Sequence, residues 1–524
     1  MCTGDIVGLF KDFCIYSSAC CLPLIGSARN TCVRVFWIVV FILACVMFGY
    51  QLYLMIHKFL SYPISVSTEM KFETQDFPVT TVCSINPYKS RKLATHAPDM
   101  LQLMTDYTEL LTTGTVAGTD KFGFTKLTSK LEQQNLAKNA QVFLANNLTQ
   151  SDLDAITYTY AELVKECHFA DAECKESDFV RIMDPTYGAC YQFNSKKPVT
   201  YRLSRAGIKN GLKMMLTIIQ EETDGETDFL ATTETSAARV AVTMQDTDVS
   251  VDAFGLNAGT GYVNAFAVRF SHMSRLQAPY GTCVNSMSAD KYLYSANYSM
   301  ESCYRSCYQL HIIKNCECGD PRYGLPDGAR KCSTVTDLVC VTALKAEEEN
   351  VTSAKHLDML KDCDCNPPCE ETTYVTTVSQ SRFPADNYAI PSDCALVGNS
   401  TAWASEEACI TWYRENAMVL QVYFERMNYE LYSENVAYDV VAFSWDLGGQ
   451  IGLWLGFSVI TCVEVLGLVI LICKFMCARR STGPIYTPEE DHKKDLNDLG
   501  KQLSDSDSDA DLSDDNAGKK QKKK

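Results

Sequence analysis

Hydrophobic and polar positions are distributed unevenly along the chain, and two stretches stand apart from the rest. Val35–Ile56 is a run of 22 residues without a charge, in which Gln51 is the only strongly polar side chain. Leu447–Cys473 is a second run of 27 residues, interrupted by the single charge of Glu464. About 20 apolar residues cross the hydrocarbon core of a bilayer, so each run is long enough to be a transmembrane helix. A signal peptide is a poor reading of the first run. It is too long, it follows 34 residues, and no small-residue cleavage site comes after it. Between the runs the pattern is that of a mixed α+β domain. Alternating β-branched and aromatic residues predict strands at Phe77–Cys83, Tyr262–Phe270 and Val419–Phe424, and helical spacing marks Leu101–Leu111 and Ser299–Leu310. The expectation is that strands carry the core and helices lie at its periphery.

Basic flanks orient the spans. Arg29 and Arg34 precede the first, and Lys474, Arg479 and Arg480 follow the second, so both termini are expected in the cytoplasm of a multi-pass plasma-membrane protein. The domains then read as a cytoplasmic segment 1–34, a first span 35–56, an extracellular domain 57–446, a second span 447–473 and a tail 474–524. Cysteine usage agrees with this. Of 25 cysteines, 16 fall between the spans: Cys83, Cys167, Cys174, Cys190, Cys283, Cys303, Cys307, Cys316, Cys318, Cys332, Cys340, Cys363, Cys365, Cys369, Cys394 and Cys409. An even set on the oxidising side reads as a disulfide framework of up to eight bonds, with the connectivity open. The glycosylation sequons at Asn147, Asn297, Asn350 and Asn399 all lie in the same region.

The net charge of −17 owes much to the outer domain and to the run SDSDSDADLSDD near the C-terminus, which reads as a solvated tail. The crowded cysteines between Cys283 and Cys369 have only His311 and His356 nearby, so disulfides are favoured over zinc, and no metal site or cofactor is expected. No motif of catalysis or of nucleic-acid binding stands in the sequence. The chemistry sits in the second span. Gly448, Gly452 and Gly456 recur every four residues, with Ser458 just beyond, and make a small-residue face. At about 1.5 Å per residue the run reaches roughly 40 Å, so it must tilt, break or extend into the outer domain. An intramembrane acid such as Glu464 usually faces a water-filled path, and Asp446 stands at the outer end of the same segment. Acids at both ends with small residues between them describe a cation pathway whose walls come from several subunits. Backbone carbonyls at Gly456-Phe457-Ser458 could replace part of an ion's hydration shell.

The chain resembles the degenerin/epithelial sodium channel family, which includes acid-sensing and peptide-gated relatives. The resemblance is carried by DFPVTTVCSINPYK after the first span, YGACYQFN (Tyr187–Asn194), APYGTC from Ala278 and the array Cys303-x3-Cys307…Cys316-x-Cys318. CDCNPPCEETTY (Cys363–Tyr374), MNYELYSENVAYDVV (Met427–Val441) and LGGQIGLWLGFS complete it. It implies a trimer of this chain or of related subunits, with a β-rich palm, a finger and a helical thumb at about residues 283–375. It also implies voltage-independent, amiloride-sensitive sodium current. In this family pattern Gly456, Phe457 and Ser458 match the selectivity filter, Gly452 an amiloride contact, Glu464 an inner-pore acid and Asp446 an outer one. Two positions depart from it. Ala19-Cys20 stands where the family carries His-Gly, with Gly26 as a partial substitute if the alignment slips. Trp445 stands where most members have a small residue, a substitution expected to favour tonic activity. Two alternatives stay open: a non-conducting accessory subunit or surface receptor assembling with related channel subunits, and a channel that needs a peptide or proton stimulus. For protons, the Glu347–Glu349 carboxylates are candidate sensors.

Overall fold

The computed structural model describes residues 13–15, 17, 21–199, 201–220, 227–248, 250–348, 352–386, 388 and 405–478. The chain divides into two units, Met1–Ser61 with Tyr438–Lys524, and Tyr62–Ala437.

In the first unit, a single helix α1, Thr31–Leu60, covers the first apolar run and overshoots it at both ends. Of its 30 residues only Met55 is buried within the chain, and most of its apolar side chains are exposed. It is long and apolar enough to cross a membrane. The second apolar run is not one helix. It forms α6, Val440–Leu455, and α7, Val459–Ala478, and the pair meets the same test only when taken together across a 73° bend. Thus the run both breaks, at 456–458, and extends outward by seven residues beyond Leu447, starting at Val440. The extension has a local cause. Asp439 is the N-cap of α6 and its carboxylate accepts the Ala442 N–H at 2.7 Å.

The second unit is α+β. Its larger sheet contains β1 (Ile64–Phe72), β12 (Asn428–Val436), β9 (Tyr262–Ser274), β11 (Ala417–Phe424), β6 (Leu212–Thr217) and β3 (Val164–Phe169) in that spatial order. β10 (Glu370–Arg382) lies against β9 over its full length. A smaller sheet runs β8 (Leu256–Gly259), β7 (Ala237–Thr243), β2 (Val79–Ser84), β5 (Gly188–Phe193) and β4 (Phe179–Asp184). β2 is buried at every residue and β11 at all but two, which is why β11 reads as a nearly continuous apolar run, while β2 takes Thr80, Thr81 and Ser84 into the interior. One core joins the sheets through Phe77, Phe193, Phe266 and Phe424. Phe77 packs there from just outside β2, because Pro78 follows it and cannot donate to a ladder.

The helices do not lie at the periphery of that core, contrary to the expectation. α2 (Pro98–Thr113), α3 (Lys130–Ala145), α4 (Met300–Cys316) and α5 (Val335–Glu348) bury Leu103, Phe143, Ile312 and Leu338 in a second core of their own. Each is amphipathic, and four apolar stripes cover one another without needing a sheet. Ser299 caps α4, accepting the Ser302 N–H at 3.1 Å, and the helix runs six residues beyond Leu310.

Seven disulfides are present among the described residues: Cys83–Cys190, Cys167–Cys174, Cys283–Cys369, Cys303–Cys365, Cys307–Cys363, Cys316–Cys340 and Cys318–Cys332. Cys303 and Cys307, one turn apart on α4, clip the helix to Cys365 and Cys363, while Cys316–Cys340 ties it to α5. Cys409 is also disulfide-bonded, and Cys394 lies outside the described residues.

Candidate ion pathway

α6 ends because Gly456 adopts a left-handed conformation, φ 64°, and its N–H closes the helix onto the Gly452 carbonyl at 3.1 Å. Residues 456–458 are not helical. Ser458 then starts α7: the Thr461 N–H reaches Ser458 Oγ at 3.4 Å, and the Ser458 N–H reaches Thr461 Oγ1 at 3.2 Å. The three residues singled out from sequence are therefore the three that separate two helices. A Cβ built on Gly452 would lie 3.8 Å from the Phe457 carbonyl oxygen, so the break folds back beside the glycine one turn before it. Interrupted backbone at membrane depth is tolerated only where protein or water satisfies its polar groups, because lipid cannot.

The acids bracket this break. Asp446 lies ten residues before Gly456 on α6, about 15 Å along the helix. Glu464 lies six residues after Ser458 on α7, about 9 Å further. Asp446 is held: its Oδ2 accepts a hydrogen bond from the Tyr438 hydroxyl at 2.7 Å. Burial and the Asp446 charge push the Tyr438 phenol up to about 12, so it stays a donor. Trp445, beside Asp446, is 76% exposed in the single chain. Sequence reasoning missed Tyr438, although it stands in the Met427–Val441 motif; only the fold carries its ring to a carboxylate two helical turns away. At the N-terminus, Gly26 lies in a short helix, Leu22–Ser27, with Ile15 3.1 Å from where a Cβ would be. Ala19-Cys20 lies outside the described residues.

In the second unit, Tyr62 follows the end of α1 by two residues, and its ring packs edge-on against Tyr280 at 5.3 Å. Tyr280 sits three residues before Cys283, whose bond to Cys369 closes the base of the stapled lobe. The same unit holds a polar cavity of about 750 Å³ lined by Asp184, Asp248, Ser250, Asp252, Tyr294 and Arg305, among others. Burial raises Asp184 above the usual carboxylate range, against the opposing Thr186 and Tyr187 N–H groups. Asp248 is raised by burial and by the charges of Asp184 and Asp252, with Arg305 opposing. Arg305 is engaged by Asp252 at 2.7 Å and Glu301 at 2.8 Å. The Glu347–Glu349 cluster is less distinctive: Glu347 pairs with Lys355 at 3.1 Å, and Glu349 lies outside the described residues. Asn147 and Asn297 are exposed, as sequons must be; Asn350 and Asn399 lie outside the described residues.

A sequence model of the family described as amiloride-sensitive sodium channel matches residues 13–468. The chain belongs to this family. Degenerin-like protein asic-2 of Caenorhabditis elegans is 38% identical over 545 residues, covering 99% of both chains. Degenerin unc-8 of the same organism is 35% identical over 373 residues, 70% of this chain and 46% of the relative. Degenerin mec-4 of Caenorhabditis briggsae is 34% identical over 351 residues, 67% of this chain and 43% of the relative. As a member of the amiloride-sensitive sodium channel family the protein is a cation-channel subunit and not an enzyme. Family members assemble as multimers of related subunits.

Proposed function

We propose that this protein is a pore-forming subunit of a voltage-independent, sodium-permeable, amiloride-sensitive channel of the plasma membrane. It crosses twice with both termini cytoplasmic and assembles as a homo- or heterotrimer. The observation that carries the reading is the interruption of the second apolar run at Gly456-Phe457-Ser458, flanked by Asp446 and Glu464. Three such breaks around one axis form a ring of carbonyl oxygens that replaces the hydration shell of a permeant Na+. Gly452, without a side chain beside that ring, leaves space for amiloride. Assembly is supported by the edge strand β1, which exposes Ile64, Val66, Met70 and Phe72 along one face, a surface suited to burial against neighbouring subunits.

Voltage clamp of cells expressing the chain alone, with sodium replacement and amiloride, tests the proposal. An amiloride-sensitive inward current carried by sodium supports it; silence alone but current with a co-expressed related subunit replaces the homomer by an accessory role. That second reading is favoured by Ala19-Cys20 in place of His-Gly. If protons are the gating stimulus, the cavity that holds Asp184 and Asp248, carboxyls raised by burial, is a better sensor than Glu347–Glu349.

A further inference from the structure

The carboxylate at the outer end of the proposed pathway has a specific neighbour. Tyr438 stands just before Asp439, the cap of α6, and its hydroxyl reaches eight residues along the helix to donate to Asp446 Oδ2 at 2.7 Å. The ring is only 4% exposed. It is seated by the last turn of α1: Lys58 Nζ lies 4.3 Å from the Tyr438 ring centroid and Phe59 packs edge-on at 6.5 Å. Phe59 also stacks at 5.1 Å on Phe443, one turn into α6. The ring face therefore receives a cation from one helix while its hydroxyl serves an anion on the other.

We infer that Tyr438, seated by Lys58 and Phe59 of α1, is a positioning residue that aims the Asp446 carboxylate, so that the charge presented at the outer mouth depends on how α1 packs against α6. The inference rests on the pore reading above, in which Asp446 faces the ion path. A purely structural ring would give the same packing without any electrostatic effect. The two roles separate because Tyr438→Phe keeps the ring, the Lys58 cation and the Phe59 contact, and removes only the donor.

A unit charge about 8 Å from the ion path changes the local cation concentration about twofold in water. The effect grows as salt is lowered, because the screening length rises from about 10 Å at 0.1 M to about 30 Å at 0.01 M. Unitary sodium conductance at these two concentrations is the readout, recorded from the full-length chain, or from its assembly with a related subunit if the chain alone is silent. Asp446→Asn is expected to lower conductance about twofold at the low concentration and little at the high one. Tyr438→Phe is expected to show a smaller loss with the same salt dependence, and Phe59→Ala, which loosens the α1 seat of the ring without changing charge, likewise. Neither adds a further loss in the Asp446→Asn background. Wild-type conductance in both Tyr438→Phe and Phe59→Ala, with Asp446→Asn effective, overturns the positioning role and leaves the pore reading standing. Losses that add to that of Asp446→Asn overturn it in favour of packing alone. An ineffective Asp446→Asn overturns it together with the placement of Asp446 at the mouth.

Discussion

Trp445 projects from α6 beside the held carboxylate of Asp446, with 76% of its surface open in the single chain. Its bulk has no described partner cavity within its own subunit, so any crowding it causes falls between subunits. Replacing it with glycine is expected to reduce the unstimulated, amiloride-sensitive current several-fold at unchanged surface delivery. An unaltered resting current would leave Trp445 as an interfacial anchor of the kind tryptophans commonly provide. Gly456 belongs to the same scale. Its φ of 64° is a conformation that a Cβ disfavours by about 1–2 kcal/mol. Gly456→Ala is therefore expected to distort the carbonyl ring and shift the reversal potential under bi-ionic sodium and potassium towards non-selectivity. A reversal potential equal to the wild type's would remove Gly456 from the filter.

Among elements, α5 illustrates how the stapled lobe is built. Asp337 in its first turn takes Arg330 at 2.9 Å through both oxygens and the Ser333 and Thr334 N–H groups at 3.0 and 3.1 Å. Those contacts, Arg330 foremost, hold the buried carboxylate far below its ordinary range. A depressed carboxylate contributes stability that is present above its unfolded value, about 3.9, and lost as pH falls further towards the folded one. Asp337→Asn is expected to destabilise the lobe by about 2 kcal/mol at neutral pH, the scale of charged hydrogen bonds. The difference from wild type is expected to shrink as pH falls below about 4, measurable as thermal midpoints of the purified protein in detergent. A penalty constant down to the acid limit would mean that shape, not charge, is what Asn fails to supply. The Cys316–Cys340 disulfide acts on the same element differently, by restricting the unfolded chain rather than by contacts in the folded one.

For the molecule as a whole, two properties depend on distant parts acting together. The first is assembly: the outward-facing apolar surface of α1 and the exposed stripe of β1 have too little of the chain's own structure to cover them. The second is the response to acid. Burial raises Asp184 and Asp248, and the charge of Asp184 adds to the rise at Asp248, so protonation relieves a repulsion between them. If protons drive gating, the double variant Asp184→Asn/Asp248→Asn mimics the protonated state. It is expected to flatten the response of the current to acidification. An unchanged pH–current curve would exclude this cavity as the sensor.

What local chemistry dictates is readable along the chain. The first apolar run, the strands Tyr262–Phe270 and Val419–Phe424 and the helix over Leu101–Leu111 all depend on neighbouring residues or on helical spacing, and each recurs in the structure with shifted ends. Pairings between positions far apart are different in kind. The partner of each cysteine, the separate helical core, the seating of Tyr438 by Lys58 and Phe59 and the meeting of Asp184 with Asp248 arise only when the fold brings remote segments together. Even the end of α6 follows this division: a glycine after a helix announces a stop, but the 73° turn beyond it is set by how two capped helices join through three residues.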